Sequence, residues 1–161
     1  MALQPYFKSD ERRAELYKVL ESWVGTPHRH LVAVKGRGAD CALFSWEVMK
    51  EVGYTKGIAN IPRKYGHIDY PPDRAIHSKE EVLLNCMRTT PSFMEMDKSR
   101  TPMDGDICTY QFGKSTAHIA IYYNGRIYHA MSKSEVLPTR FDDKKFMARL
   151  TAVFRLMEEV V

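Results

Sequence analysis

Apolar residues near the start of the chain recur at the three- and four-residue spacing of an amphipathic helix. The pattern covers residues 9–24 and predicts a helix there, with Ser9 or Asp10 as its N-cap. The next three residues, Gly25-Thr26-Pro27, favour a turn and end the helical pattern. The predicted apolar stripe consists of Leu16, Val19, Leu20 and Trp23.

A second helical pattern begins at Cys41 and ends before Gly53. Asp40 has the short polar side chain of an N-cap, so Cys41 takes the first helical position. A thiol there lies beside unpaired N–H groups and the positive end of the helix dipole, and both favour the thiolate. We therefore predict a lowered pKa for Cys41 and a nucleophilic thiolate. The alternative is a small cysteine that packs the start of a helix.

The middle of the chain has no sustained periodicity. Residues 54–72 are rich in Gly, Pro, Tyr and Asn, which predicts a long surface loop. The segment 54–77 is expected either to pack on the protein itself or to fold across a cleft and hold a substrate chain. Ser78 is the predicted N-cap of a third helix that extends to about Met87.

From Pro91 onward the pattern changes from helical to alternating. The turn signal Asn124-Gly125 predicts a tight hairpin between two of the strands. Helices in the first half and antiparallel strands in the second predict an α+β fold, in a single domain over 1–161. The predicted strands cover residues 106–112, 118–123, 127–131, 135–139 and 149–156.

The predicted hairpin places two histidines on adjacent strands. With Tyr123 opposite Arg126, residue 118 faces 131 and residue 120 faces 129. His118 and His129 are then offset by two residues, within reach of each other's side chains. A histidine beside a thiol can take and return its proton, while a second polar group fixes its tautomer. Cys41, His118 and His129 are therefore the candidate catalytic residues.

Composition and charge exclude several other classes of function. The net charge of +4 is spread along the chain without a basic block, so nucleic acid is not an expected partner. No apolar run has the length of a signal peptide or membrane span, so we expect synthesis in the cytoplasm without a cleaved signal and no membrane partner. Three distant cysteines are expected to stay reduced, with Cys86 and Cys108 in the core.

No cofactor is expected from the sequence, and the apolar stripe of the second helix is assigned to the core. A zinc site is an alternative interpretation of the candidate residues. Its ligands would come from Cys41, His118, His129, His28 and His30.

Several motifs in order resemble the NlpC/P60 cysteine peptidases. Residues 23–29 (WVGTPHR), 35–41 (KGRGADC) and 51–53 (EVG) resemble the opening of that family. A second group of motifs is similar to its histidine half: residues 104–107 (DGDI), 117–122 (AHIAIY) and 127–130 (IYHA). Residues 70–73 (YPPD), with His77 shortly after, are similar to the phage-tail branch of the family.

The resemblance implies a papain-like fold in which the nucleophile helix packs on an antiparallel sheet. It implies Cys41 as the nucleophile, His118 as the base and His129 as the residue that orients the base. It also implies a substrate, the peptide of peptidoglycan, and for the phage-tail branch it suggests tail proteins as partners and a location in the virion tail.

This sequence departs from the family pattern at two places near the cysteine. Many relatives carry a tyrosine upstream of the cysteine that contributes to the site, and here the region offers His28 and His30 instead. These two histidines and Asp40 are the predicted substrate-binding residues. Ala42 stands where many relatives have serine. Two other functions stay open: a non-enzymatic tail or assembly component, and a papain-like acyl transferase acting on a small amide or lipid.

Overall fold

The computed structural model describes residues 2–54, 63–64, 67–68, 82–114 and 116–160. The described helices are α1 (Asp10–Trp23), α2 (Cys41–Glu51), α3 (Val82–Thr89) and α4 (Lys144–Met147). The first six strands are β1 (Leu3–Pro5), β2 (Ala33–Val34), β3 (Gly38–Ala39), β4 (Arg63–Lys64), β5 (His67–Ile68) and β6 (Phe93–Met96). The other five are β7 (Ile107–Gln111), β8 (Thr116–Tyr123), β9 (Arg126–Ala130), β10 (Val136–Arg140) and β11 (Leu150–Glu159).

Seven strands form one antiparallel sheet, which confirms the predicted α+β class. Its order is β1-β11-β7-β8-β9-β10, and β6 also pairs with β11. The helices α1, α2 and α3 precede most of the sheet in the chain, as the change from helical to alternating periodicity predicted. None of the described helices is long and apolar enough to cross a membrane.

The two N-terminal helices have the caps that the sequence predicted. Ser9 caps α1 by accepting the Arg12 N–H, and Asp40 caps α2 by accepting the Leu43 N–H. The buried residues of α1 are those of the predicted stripe, Leu16, Val19, Leu20 and Trp23. The helices therefore pack through the faces that their apolar spacing indicated.

The sheet separates two apolar clusters, because alternate residues of a strand point to opposite faces. The larger cluster contains residues of α1, α2 and α3 together with Ile107, Ile119 and Tyr128. The smaller cluster contains Cys108 and Tyr110 from β7 and Phe146 from α4. Cys86 and Cys108 are both buried free thiols, which confirms their assignment to the core.

The hairpin between β8 and β9 turns at Asn124-Gly125 with the predicted register. Asn124 and Gly125 have φ values of 47° and 79°, and such positive φ values at both central residues are typical of a type I′ turn. Tyr123 lies opposite Arg126, as counted from the sequence. Within the described part of the chain, the paired register of the two strands ends at Ile121 and Tyr128.

Several short strands were not predicted, and the pairing of two of them, β1 and β6, depends on residues distant in the chain. The strands β1 and β6 both pair with β11, near the C-terminus. The strands β4 and β5 pair with each other inside the segment 54–77, which the sequence predicted as a loop. Ser78 and most of that segment lie outside the described residues, so the predicted cap and the substrate-holding role remain predictions.

Candidate active site

Cys41 is the first residue of α2, at the position that the sequence predicted. The cap that fixes this helix start is Asp40, which is only 3% exposed. Its Oδ1 accepts the Leu43 N–H at 2.8 Å, and its Oδ2 accepts the Leu31 N–H at 2.8 Å. Asp40 thus holds both the helix and the preceding loop, and its role in substrate binding stays a prediction.

Three backbone N–H groups surround the thiol of Cys41. They belong to Cys41 and Ala42 at the start of α2, and to Ile119 on β8. The Ile119 amide directly follows His118 in the chain, so the Cys41 thiol lies at the segment of β8 that carries the candidate base. Cys41 itself is half-buried and packs against the larger apolar cluster.

The predicted lowering of the Cys41 pKa is wrong. The pKa of Cys41 is raised to about 12, chiefly by burial and secondly by the nearby Asp40 carboxylate. The three backbone N–H groups act in the opposite direction, as the helix-dipole argument required, but desolvation is the larger effect. The resting thiol is therefore protonated at neutral pH, and a thiolate has to form by transfer of its proton.

His118 and His129 contact each other directly, as the two-residue offset predicted. The Nε2 atom of His118 lies 2.6 Å from Nδ1 of His129. On its other side, Nε2 of His129 lies 2.8 Å from Oγ1 of Thr139 on β10. Since Nε2 of His118 is engaged by His129, exchange of a proton with a thiol falls to Nδ1 of His118.

A register shift in the sheet lies beside His118. Tyr110 of β7 is opposite His118, whereas the next residue, Gln111, is opposite Thr116. Irregular pairing of this kind bends a strand and redirects its side chains, and it is common next to active sites. The shift therefore contributes to the orientation of the His118 ring.

Aromatic rings enclose the histidine pair on the face of the smaller cluster. The Phe146 ring of α4 lies 6.2 Å from the His118 ring and 5.1 Å from the His129 ring, between centroids. The rings of Tyr110 and Phe112 lie 6.1 and 5.7 Å from that of His118. These contacts remove water from both imidazoles, which disfavours their charged forms.

Both imidazoles are accordingly neutral at neutral pH. Burial lowers the pKa of His118 well below its usual value, and the nearby His129, His28 and Lys145 lower it further. Burial also lowers the pKa of His129 to about 4. A neutral histidine and a protonated thiol are the protonation states from which general-base catalysis starts.

His28 and His30 lie on the loop before α2. The backbone N–H of His28 donates to the Ser134 carbonyl at 2.9 Å, which ties this loop to the turn between β9 and β10. His28 is close enough for its charge to act on His118. Burial lowers the pKa of His28, while Asp40 raises it and His30 lowers it. The structure thus brings His28 near the histidine pair and His30 near His28.

The zinc alternative has no support in the described residues. Across 2–54, 82–114 and 116–160, no group of three or more His, Cys, Asp or Glu residues has the arrangement of a metal site. The second nitrogen of His129 is directed at a threonine hydroxyl, which is a partner expected of an imidazole that orients another group.

Thr139 is the site residue that sequence reasoning missed. It belongs to a strand that the alternation predicted, but the turn between β9 and β10 gives no register signal comparable to Asn124-Gly125. The observed register places Leu137 opposite His129, and Thr139 lies two residues further along, on the same face. Counting two residues on from Leu137 in that register predicts the contact between His129 and Thr139.

The neutral histidine pair predicts a loss of stability in acid. Between pH 6.5 and about 4 the unfolded chain binds a proton at residue 129 that the folded protein excludes. The free energy of unfolding therefore decreases as the pH is lowered through this window. The loss attributable to His129 is about 3 kcal/mol. His129→Gln, which does not titrate, should therefore lose less in Tm between pH 7 and pH 4.5 than the wild type. Parallel curves for the two proteins would contradict the buried neutral imidazole.

Comparisons with known proteins agree on the architecture. No family model and no curated protein matches the sequence. Among solved structures, a lipoprotein-like protein of the NLP/P60 family from Staphylococcus aureus superposes with a TM-score of 0.62 at 17% identity, over 97% of this chain and 45% of that chain. An NlpC/P60 family protein from Bacillus cereus gives a TM-score of 0.56 at 19% identity, over 88% of this chain and 39% of that chain.

A third structure is a domain of similar size to this chain. The NlpC/p60 domain of the peptidoglycan hydrolase SagA gives a TM-score of 0.52 at 18% identity, over 89% of this chain and 97% of that domain. The chain spans less than half the length of the first two structures. At these identities the likeness concerns the fold. The chain therefore has the papain-like α+β fold that its solved structural neighbours, proteins of the NlpC/P60 family, share.

Proposed function

We propose that the protein is a cysteine peptidase that hydrolyses an amide bond in the stem peptide of peptidoglycan. The observation that carries this proposal is the 2.6 Å contact between Nε2 of His118 and Nδ1 of His129, adjoining the residue whose amide donates to the Cys41 thiol. A nucleophile, a base and a group that orients the base are the parts that acyl transfer needs. The choice of substrate is supported by the sequence motifs and by the hydrolase fold of the SagA domain.

In the proposed reaction, His118 creates the nucleophile when substrate is bound. The thiol proton of Cys41 moves to Nδ1 of His118 as Sγ attacks the carbonyl carbon. The resulting imidazolium then donates that proton to the leaving amine, and the C–N bond breaks to give a thioester. Water, deprotonated by His118, attacks the thioester and releases the acid and the free thiol.

The N-terminus of α2 is the proposed site for stabilising the oxyanion. The amide N–H of Cys41 lies there, next to the thiol and at the positive end of the helix dipole. Backbone N–H groups fixed in this way need no reorganisation as negative charge develops on the carbonyl oxygen. Replacement of the family's serine by Ala42 leaves this donor in place.

Digestion of purified peptidoglycan tests the proposed reaction. The wild type should release soluble muropeptides with new amino and carboxyl ends, identified by mass, and Cys41→Ser should release none. Wild-type protein that cleaves neither polymeric peptidoglycan nor soluble muropeptides would contradict the proposal. Cleavage of a small non-peptide amide or ester alone would favour the acyl transferase instead.

We further propose that the protein acts from a phage- or prophage-type tail after synthesis in the cytoplasm. This proposal is supported by residues 70–73 (YPPD) and His77, which are outside the described part of the chain. Mass spectrometry of purified tails should detect the chain if it is a tail component. A tail component without activity, which is the non-enzymatic alternative, would be present in tails and inactive in the digestion assay.

The orienting role proposed for His129 predicts a defect in kcat. His129→Ala leaves the His118 ring without its partner, so we expect kcat to fall about 10- to 1000-fold, with a smaller effect on KM. His129→Asn or His129→Gln should recover part of the loss, because an amide oxygen can accept from Nε2 of His118. A steady-state assay with soluble muropeptide measures both parameters. An unchanged kcat in His129→Ala would show that the residue is structural only.

A further inference from the structure

We propose that Thr139 is a positioning residue that sets the tautomers of both histidines and thereby makes His118 a competent base. This inference rests on the proposed cysteine peptidase function for its effect on catalysis. Its structural part, the direction of the hydrogen bonds from His118 through His129 to Thr139, stands independently of any substrate.

The three side chains form a continuous row across three strands. Nε2 of His118 on β8 is 2.6 Å from Nδ1 of His129 on β9, and Nε2 of His129 is 2.8 Å from Oγ1 of Thr139 on β10. His129 is fully buried, with 0% exposure, so water does not replace either partner. Both ring nitrogens of His129 are therefore committed to protein groups, as burial of a polar side chain requires.

A neutral imidazole has one N–H donor and one acceptor nitrogen, so the row has only two consistent directions. In the first direction Nε2–H of His118 donates to Nδ1 of His129, and Nε2–H of His129 donates to the Thr139 hydroxyl oxygen. Nδ1 of His118 then carries a lone pair and can accept the Cys41 proton. In the second direction every bond is reversed, so Nδ1 of His118 already carries a proton and cannot act as the base.

The hydroxyl of Thr139 is the group that permits the first direction. It supplies the acceptor for Nε2–H of His129, because a hydroxyl hydrogen rotates about the C–O bond and leaves an oxygen lone pair toward the ring. Without that oxygen, the first direction leaves a buried N–H without a partner. The second direction leaves only an acceptor lone pair unsatisfied, which folded proteins tolerate better than an orphaned N–H. Removal of the hydroxyl should therefore shift His118 toward the inactive tautomer.

The pair Thr139→Val and Thr139→Ser tests this directly. Valine keeps the shape of threonine and removes the oxygen, whereas serine keeps the oxygen. Nitrogen-15 NMR of the labelled imidazoles at pH 7.5 reports each tautomer without substrate. We expect Nε2–H on both rings in the wild type and in Thr139→Ser, and an increased Nδ1–H population on His118 in Thr139→Val. With soluble muropeptide, kcat of Thr139→Val should fall about 10- to 100-fold with little change in KM, and Thr139→Ser should remain within about threefold of the wild type.

Thr90→Val is the matched control. Thr90 follows α3, and its buried hydroxyl donates to the Cys86 carbonyl at 2.7 Å, outside the histidine row. It should leave both tautomers and kcat unchanged. The inference is overturned if the wild-type His118 carries its proton on Nδ1, or if Thr139→Val has wild-type tautomers. If the tautomers respond as expected while wild-type protein cleaves no peptidoglycan, the tautomer assignment stands and the proposed function fails.

Discussion

Replacement of Cys41 by serine is expected to abolish turnover while the protein stays folded. Serine fits the volume of the half-buried cysteine at the start of α2, so Tm should change little. The hydroxyl is much less acidic than a thiol, and its proton transfer to the neutral His118 is correspondingly unfavourable. We expect kcat to fall by a factor on the order of 1000 or more, measured with soluble muropeptide.

Cys86→Ala is the control for loss of a thiol. Cys86 is 6% exposed on α3 and belongs to the larger apolar cluster, away from the histidine pair. The Cys86→Ala variant should retain wild-type kcat per folded molecule. Its Tm should fall, because removal of the buried sulfur leaves a small cavity. Wild-type hydrolysis by Cys41→Ser would show that the mechanism proposed above is wrong.

The largest expected change in stability follows from removal of the Asp106 carboxylate. Asp106, just before β7, is 1% exposed and accepts two bonds from Arg155 of β11, at 3.0 and 2.9 Å. Its Oδ2 also accepts the Met103 N–H at 2.8 Å. Burial raises the pKa of Asp106, and Arg155 acts in the opposite direction, so the pair offsets part of the desolvation. Asp106→Ala leaves a largely buried guanidinium unpaired and should cost about 3–5 kcal/mol of unfolding free energy.

Urea denaturation of matched variants measures this cost. Asp104→Ala removes a neighbouring carboxylate whose Oδ1 accepts the Asn124 N–H at 2.8 Å in a more exposed setting, so it should cost about 1 kcal/mol. The double variant Asp106→Ala/Arg155→Met should recover part of the loss, because no buried charge remains. Equal losses in the two single variants would contradict a buried ion pair as the source of stability.

The sequence determined those features that depend on a few neighbouring residues. The caps Ser9 and Asp40 each hydrogen-bond to a backbone N–H three positions on, so a short window of sequence was enough to place both helix starts. The hairpin follows from two residues that tolerate positive φ, and the pairing of Tyr123 with Arg126 is the one from which counting placed His118 and His129 within reach of each other. The candidate catalytic contact was predictable because it lies within one hairpin.

Only the tertiary structure decided the features that depend on which distant groups come together. The helix start correctly indicated N–H groups beside the Cys41 thiol, but the sign of its pKa shift depends on the burial that packing against distant parts of the chain produces. The partner of His129 depends on the register of β10, and the partner of Asp106 lies 49 residues away. The edge strand β1 forms because β11 offers unpaired backbone groups, as Leu3 has no local pattern that requires a strand. Desolvation and long-range pairing sum over the whole fold, which is why a local pattern could locate the reactive groups but not their protonation states.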